Sequence, residues 1–372
     1  MHLSYWEYKT WFSKVDFTII GSGIVGLNCA LGLRERFPSA KILVLEKGIL
    51  PQGASTKNAG FACFGSISEV LADLKSHSEE EVVALVQKRW QGIQLLRELL
   101  GDEALGFQLH GGNELFLANH SALYETCLED MVKVNKLLEP VFGKAPFVET
   151  ENVFQFEGIH PKYITHIFEG QLDTGKMMDA LLQKCLKKGI HILNGFMVEG
   201  LSDTGSQVAV KTSIFEFNSH KVFVATNGFA SKLLNSETVV PARAQVLITE
   251  PIDDLNIKGT FHFDEGYYYF RNIDDRILFG GGRNLDFESE ETDKLGQTAL
   301  VQEELERLLA QVILPGKKIE IAQRWSGIMG VGKQKTPIVK QVSDNVMCGV
   351  RLGGMGVALG SLVGRELGHL SD

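Results

Sequence analysis

The chain has 372 residues, 44% of them hydrophobic and 22% charged, with a formal net charge of −9. That length suits a two-domain, enzyme-sized protein with ample core, and the composition excludes a disordered chain. The acidic balance, with no local cluster of Lys and Arg, argues against a nucleic-acid partner, which needs a basic footprint.

The opening segment, MHLSYWEYKTWFSK, carries acidic and aromatic residues where a signal peptide has a basic segment and an apolar core. Five cysteines (Cys29, Cys63, Cys127, Cys185 and Cys348) lie far apart, which gives neither a zinc spacing nor a C-x-x-C pair. A reduced, cytoplasmic setting is expected, with no metal. No apolar run is long enough to span a bilayer.

The first structured unit is VDFTIIGSGIVGLNCALGLRERFPSAKILVLEK. A β-rich run at 17–20 enters a glycine turn, a helical pattern follows, and 42–45 form the next strand, which makes a β-α-β unit. Gly21, Gly23 and Gly26 give G-x-G-x-x-G between strand and helix, and Glu46 ends the second strand at the spacing of a ribose-binding acid. Gly21 permits the turn, Gly23 admits a pyrophosphate to the backbone, and Gly26 lets helix and strand pack closely. The helix head, Ile24 and Val25, faces the phosphate charge.

Different material follows. Ser78 and Glu81 form a capping box before a helix with apolar positions Val82, Val86, Trp90, Ile93 and Leu96, and a second helical pattern runs through Leu123, Met131, Val134 and Leu138. A helix over 177–188, stopped by Gly189, leads to the strand IHIL, and the strand KVFVA runs into TNG; both suit a parallel sheet. From about 244 to 279, AQVLITE, GYYYFRN and RILFGG read as consecutive antiparallel strands. The glycines of GGGRNLD, 280–286, follow such a strand without a helix and read as a turn.

The expected fold class is α/β: a Rossmann-like dinucleotide-binding domain, discontinuous in sequence, with an inserted α+β substrate domain containing a mostly antiparallel sheet. The expected boundaries are 14–77, 155–235 and 323–372 for the first domain and 78–154 and 236–322 for the second.

After Glu46 comes KGILPQGASTKNAGFACFGS, a long small-residue loop for which an NAD-binding domain has no need. Glu46 followed by GASTKNAGF resembles the second flavin-contacting segment of the D-amino acid oxidase family, which includes glycine oxidase and sarcosine oxidase. Further likeness lies in FEGQLDTGKMMDALLQKCLKKGIHILNGFMVEGL, KVFVATNGFASKLL, VVPARAQVLITEP, RWSGIMG…TPIV and GVRLGGMGVALGSLVGREL.

The resemblance implies noncovalent FAD. It implies contacts from Gly21, Gly23, Ile24, Val25, Gly26, Glu46 and Lys47 on the first unit. Ala54, Ser55, Thr56, Lys57, Asn58, Ala59, Gly60 and Phe61 would line the pyrophosphate, ribityl chain and inner ring face. Val198 would contact the adenine, Thr226, Asn227 and Gly228 would lie near the phosphate turn, and Gly327 belongs to a closing segment. Gly353, Gly354, Met355, Gly356 and Val357 would close over the pyrimidine edge at the start of the last helix, whose N-terminus favours negative charge there. The alternative for these glycines is helix packing near the chain end.

Amino-acid-oxidising relatives hold the substrate carboxylate with an arginine, whose planar fork matches two oxygens. Here Met329 occupies that position. Arg351, where relatives commonly carry glycine, is the first replacement candidate; Arg271, Tyr267 and Tyr269 are further substrate-positioning candidates, each with a surface or sheet role as its alternative. The histidines, His110, His160 and His262 among them, are given no catalytic part, because the family reaction needs no histidine base.

The expected function is oxidation of the CH–N bond of an amino acid or secondary amine by hydride transfer to FAD, with oxygen or another electron acceptor. Two alternatives stand: an FAD-dependent 2-hydroxy-acid oxidase or dehydrogenase of the same fold, and an NAD-binding or non-catalytic dinucleotide-binding protein.

Overall fold

The computed structural model describes residues 3–234 and 239–371. The expected domain boundary at 235/236 lies outside them. Two eight-stranded sheets organise the chain.

In the first sheet, Val15–Ile20 is central, flanked in parallel by Ile42–Glu46 and Glu216–Val224. His191–Asn194 extends the parallel array on one side and Val346–Val350 on the other. Val15–Ile20 and Ile42–Glu46 carry nearly unbroken apolar runs because both of their faces are covered, one by helices such as Ile24–Arg36 and the other by the cluster that contains Val208, Val210 and Phe217; every residue of Ile42–Glu46 is buried. Ile338–Ser343 adds an antiparallel edge. Val208–Thr212 and Val198–Asp203 form an antiparallel extension beyond Glu216–Val224.

The second sheet runs Ile321–Val331, Val240–Thr249, Arg276–Gly281, Tyr268–Ile273, Thr260–Phe263, Gly112–Glu114, Lys162–His166, Phe147–Glu151. Every pairing is antiparallel except that of Thr260–Phe263 with Gly112–Glu114. The α/β class with an inserted, mostly antiparallel unit is therefore the fold adopted. Two expected boundaries cut through this sheet. Lys162–His166 was assigned to the first domain, yet it is hydrogen-bonded between Gly112–Glu114 and Phe147–Glu151. Residues 323–331 likewise pair with Val240–Thr249. Strand pairing overrides sequence proximity in both places.

The capping box forms as expected, with Ser78 and Glu81 exchanging backbone hydrogen bonds at the head of Glu79–Leu100. The GGGRNLD segment is a turn: Gly281 and Gly282 have φ of 129° and 75°, and only a short 3₁₀ turn, Arg283–Leu285, follows.

The last helix, Gly356–His369, packs against both Ile24–Arg36 and Glu79–Leu100. Gly360, Gly364 and Gly368, spaced four apart, form one ridge facing Ile24–Arg36. A Cβ on Gly360 would sit 2.7 Å from Ile24 Cγ2, one on Gly364 inside contact distance of the Val25 carbonyl, and one on Gly368 3.3 Å from Cys29 O. On the other side Gly92 meets the Ala358 carbonyl with no room for a side chain, and Ser361 Oγ donates to Gly92 O at 2.7 Å. Backbone therefore lies on backbone, the closest approach two helices have.

Overpacking at such a contact costs about 1–3 kcal/mol. Gly364→Ala is expected to lower unfolding stability by about that amount and, by displacing Val25, to weaken FAD binding as well. Urea unfolding and FAD titration check both; unchanged stability would show that the helices slide apart without cost.

Candidate active site

The glycine turn has the geometry its residues require. Gly21 has φ of 102°, and a Cβ there would lie 2.8 Å from Ala225 O. Gly26 abuts the Gly21 carbonyl so closely that any side chain would open the turn. The head of Ile24–Arg36 has no side-chain cap from Gly23. Instead the Ile24 amide donates to Ser55 Oγ at 3.0 Å, which links the turn to the small-residue loop. Glu46, buried, accepts from Ser22 N and Oγ (3.2 and 3.0 Å) on one oxygen and from Gly48 N (3.0 Å) on the other. Gln52 N adds a long fourth contact to the second oxygen (3.5 Å), the weakest of the set and the one that a ribose hydroxyl would share or displace.

The C-terminal glycines meet this turn through Asn227. Its Oδ1 accepts from the amides of Arg351 (3.0 Å) and Leu352 (3.2 Å), which fixes the entry to the Gly353–Gly356 segment. Arg351 has φ of 64°, a left-handed backbone in which glycine costs least. Its guanidinium donates to Thr336 O from Nε (3.2 Å) and Nη2 (2.9 Å), tying the preceding loop to the turn. Lys57 packs over Gly327, and its carbonyl accepts from Trp325 Nε1 at 2.9 Å.

These pieces enclose a cavity of about 690 Å³. Its walls include Gly21, Gly23, Ile24, Val25, Glu46, Lys47, Ala54, Ser55, Lys57, Asn58, Ala59, Phe61, Val198, Thr226, Asn227, Gly327 and the 353–357 segment. The residues fit a dinucleotide cofactor on two observations. Thr226 Oγ1 is buried without a hydrogen-bond partner, as a phosphate-facing hydroxyl would be before its ligand arrives. Cβ atoms on Gly353, Gly354 and Gly356 would meet nothing within 4 Å, so the turn leaves open space of the kind a flat ring needs.

Four expected contacts stand behind the wall instead of on it. Gly26 packs under the turn, and Gly60 (φ 74°) lies against the Leu172 carbonyl. Gly228 lies against Met329 O, and Thr56 Oγ1 donates to Pro51 O at 2.6 Å. Arg271 is also displaced from its expected place. It is buried, donating from Nη1 to Leu172 O (2.6 Å), Ala59 O (3.2 Å) and Gly60 O (3.3 Å), and from Nε to Asn272 O (3.0 Å). Strand alternation gives it the face of Tyr269, but two residues further on that face meets the carbonyls supporting the small-residue loop, and they take its donors.

Beyond the cofactor walls the cavity continues to Tyr267, Tyr269, Met329, Arg351, Cys63 and His262. Burial pushes the Tyr269 hydroxyl up to about 12, so it stays neutral. Burial lowers the proton affinity of His262, which pairs opposite Tyr269 in the sheet. His110 is exposed and His160 stacks on Tyr124 at 3.8 Å, both outside the cavity.

Sequence reasoning missed the wall built by Cys63, Gly65, Ser68, Glu69 and Arg89. Behind it lie two buried acids. Glu114 accepts from Ser68 N and Oγ, and Glu169 accepts from Phe64 N (2.6 Å) and Gly65 N (3.2 Å). Burial, outweighing these hydrogen bonds, pushes Glu114 up to about 7 and Glu169 up to about 8.

An unfolded glutamate titrates near 4.3, so between that value and the raised ones the folded protein holds protons that the unfolded chain releases. Stability contributed by Glu169 thus falls as pH rises from about 4.5 to about 8. Glu169→Gln is expected to flatten the decline of unfolding free energy over that range. Denaturant titrations across it check this, and equal slopes in parent and variant would count against it.

The chain is 23% identical to the protein described as "Probable oxidoreductase OrdL" of Haemophilus influenzae, over 96% of this chain and 82% of that protein. It shares its fold with glycine oxidase from Geobacillus kaustophilus: TM-score 0.77, 17% identity, covering 96% of this chain and 95% of that one. L-proline dehydrogenase from P. horikoshii is similar too, with TM-score 0.75, 18% identity and coverage of 96% and 93%. The family model described as "FAD dependent oxidoreductase" matches residues 16–370, nearly the whole length, and the chain accordingly belongs to this DAO family of FAD-dependent oxidoreductases.

Proposed function

We propose that this enzyme oxidises the CH–N bond of an amino acid or secondary amine. The observation that carries the proposal is a single cavity that runs from the glycine turn and Glu46 to Tyr267, Tyr269 and Met329 on the antiparallel sheet, so that cofactor and substrate share one enclosure. Glycine oxidase and L-proline dehydrogenase, similar in fold, carry names that place their chemistry at such a bond.

FAD, when bound, would supply the hydride acceptor for a substrate C–H bond that breaks with its electron pair as the nitrogen lone pair forms C=N, and water would hydrolyse the imine. The chain supplies position and field. Asn227 fixes the turn that leads to Gly353–Gly356, and the N-terminus of Gly356–His369 begins there, where its dipole would favour negative charge on a bound cofactor. Thr226 gives its free hydroxyl to the phosphates. The part of the wall formed by the antiparallel sheet carries a neutral phenol at Tyr269, an uncharged His262, and Met329 in place of a charge, whereas Glu69 and Arg89 stand on another part of the cavity wall. An amine free base loses hydride without a protein base, whereas a hydroxy acid needs its O–H proton removed.

FAD is held noncovalently in this proposal. Cys63, at the wall, has its thiol pushed well above the ordinary value by burial and by Glu169 and Glu69, which leaves little thiolate for flavin attachment. The segments of the first sheet carry FAD, and the second sheet carries the substrate. No helix among the described residues is long and apolar enough to cross a membrane. Cys29, Cys63, Cys127 and Cys185 are unbridged thiols, which supports the reducing, cytoplasmic setting of this proposal.

Anaerobic mixing of the FAD-loaded protein with amino acids, N-methyl amino acids, secondary amines and matched 2-hydroxy acids tests the reaction. Flavin bleaching by the nitrogen compounds alone is expected; bleaching by hydroxy acids alone would transfer the activity to that class. Thr226→Val is expected to weaken FAD binding about tenfold, the worth of one hydrogen bond to a charged group, and unaltered affinity would remove Thr226 from the phosphate site. Acid precipitation should release all the flavin.

A further inference from the structure

The described residues include three buried arginines, Arg89, Arg243 and Arg271. Arg243 is matched bidentately by Glu290, with both nitrogen–oxygen distances 2.8 Å. Arg271 donates to four backbone carbonyls. Arg89 differs from both. It is 4% exposed, its Nη1 makes its one hydrogen bond, to Phe64 O at 2.7 Å, and Nε is buried with no partner. Among the described residues no carboxylate lies within ion-pair distance of it, although it stands on the cavity wall. A guanidinium offers five donors and cannot shed its charge, and leaving such a charge buried and unmatched is costly.

The position of Arg89 is imposed by its helix. In Glu79–Leu100 the buried residues include Val82, Val86, Arg89, Ile93 and Leu96, the i, i+3, i+4 stripe that faces the interior. Arg89 is the one charged member of that stripe, and it reaches the wall where Gly65 has no side chain. A Cβ on Gly65 would sit 3.0 Å from Arg89 Nη1 and 4.0 Å from Glu69 Oε2, so both charges border one small gap. Glu69 Oε2 accepts from the Ser66 amide and its other oxygen accepts no hydrogen bond.

We propose that Arg89 forms the substrate carboxylate subsite, on a wall separate from Met329 and Arg351, and that the ligand is an amino acid whose positive nitrogen balances Glu69 on binding and releases its proton to water before the C–H bond breaks. This deepens the function proposed above and rests on it for the nitrogen, but not for the carboxylate. The buried acids nearest Arg89 do not supply the missing anion. Glu169 holds its proton up to about 8, and a protonated acid leaves the guanidinium charge unmatched at neutral pH. A carboxylate entering through the cavity offers two oxygens to a planar fork with donors to spare.

The test uses binding without turnover, so that it stands apart from the assignment of the reaction. FAD-loaded protein is titrated, with flavin absorbance as the readout, with 2-aminoisobutyrate, which has no α-hydrogen to lose, and with cyclopentanecarboxylate, each against its own amide. The parent is expected to bind each acid more tightly than its amide, with 2-aminoisobutyrate the tighter of the two acids. Arg89→Met should lose the preference for acid over amide, weakening acid binding about 30-fold or more, and Arg89→Lys should restore part of it. FAD content and thermal midpoint are recorded for each variant. If Arg89→Met does not fold, the acid–amide comparison on the parent and Arg89→Lys decides.

A parent that binds acid and amide equally overturns the proposal, as does a preference that survives Arg89→Met or is lost only in Arg351→Ala. If hydroxy acids alone bleach the flavin while Arg89 still governs carboxylate binding, the amine chemistry fails and the subsite stands.

Discussion

The last helix lies on the first because three of its residues have no side chain. Gly360, Gly364 and Gly368 bring the backbone of Gly356–His369 onto Ile24–Arg36, and Gly92 admits the same helix from the other side. The two helices begin at the two glycine-rich turns, so their packing sets the distance between those turns. A bulky residue on the ridge would part the helices, and the turns would no longer face one cavity. Fold stability and cofactor site are thus coupled through a contact that touches no ligand.

Around that contact the chain separates the tasks of its charged groups. Arg271 supports the small-residue loop from behind, Arg351 ties the 334–336 loop to the C-terminal turn, and Arg243 locks onto Glu290. Each makes at least two hydrogen bonds to protein acceptors. Arg89 does not, and it shares a wall with groups that burial keeps neutral. A buried charge without a counter-ion exerts a strong field, and under the carboxylate proposal ligand choice would depend on it more than on the tyrosines.

Much of this was legible in the residues. The G-x-G-x-x-G turn, the Ser78–Glu81 cap and the antiparallel strands from 244 to 279 depend on local chemistry, and local chemistry is written in short windows. The glycines at 353–357 were also recognisable, through resemblance. The ridge at 360, 364 and 368 was hidden in an apolar run, because a glycine that packs and a glycine that bends look alike until its neighbour is known. Strand pairing at 162–166 was illegible for a similar reason: its partners lie on separate segments. Arg271 was a substrate-side candidate from its place on a sheet strand, and a strand does not say what each of its faces meets. Arg89 left a sequence signal, a charge at an interior position of the Val82–Leu96 stripe, but only burial and hydrogen-bond partners gave it meaning.

The central claim is that the two ends of the chain close around one FAD. Amide hydrogen exchange, compared between apoprotein and FAD-loaded protein, tests it most directly. The account predicts that FAD slows exchange together at residues 21–26 and at 353–357. Protection of the first turn with none at the second would mean that the C-terminal glycines serve helix packing alone, and would contradict it.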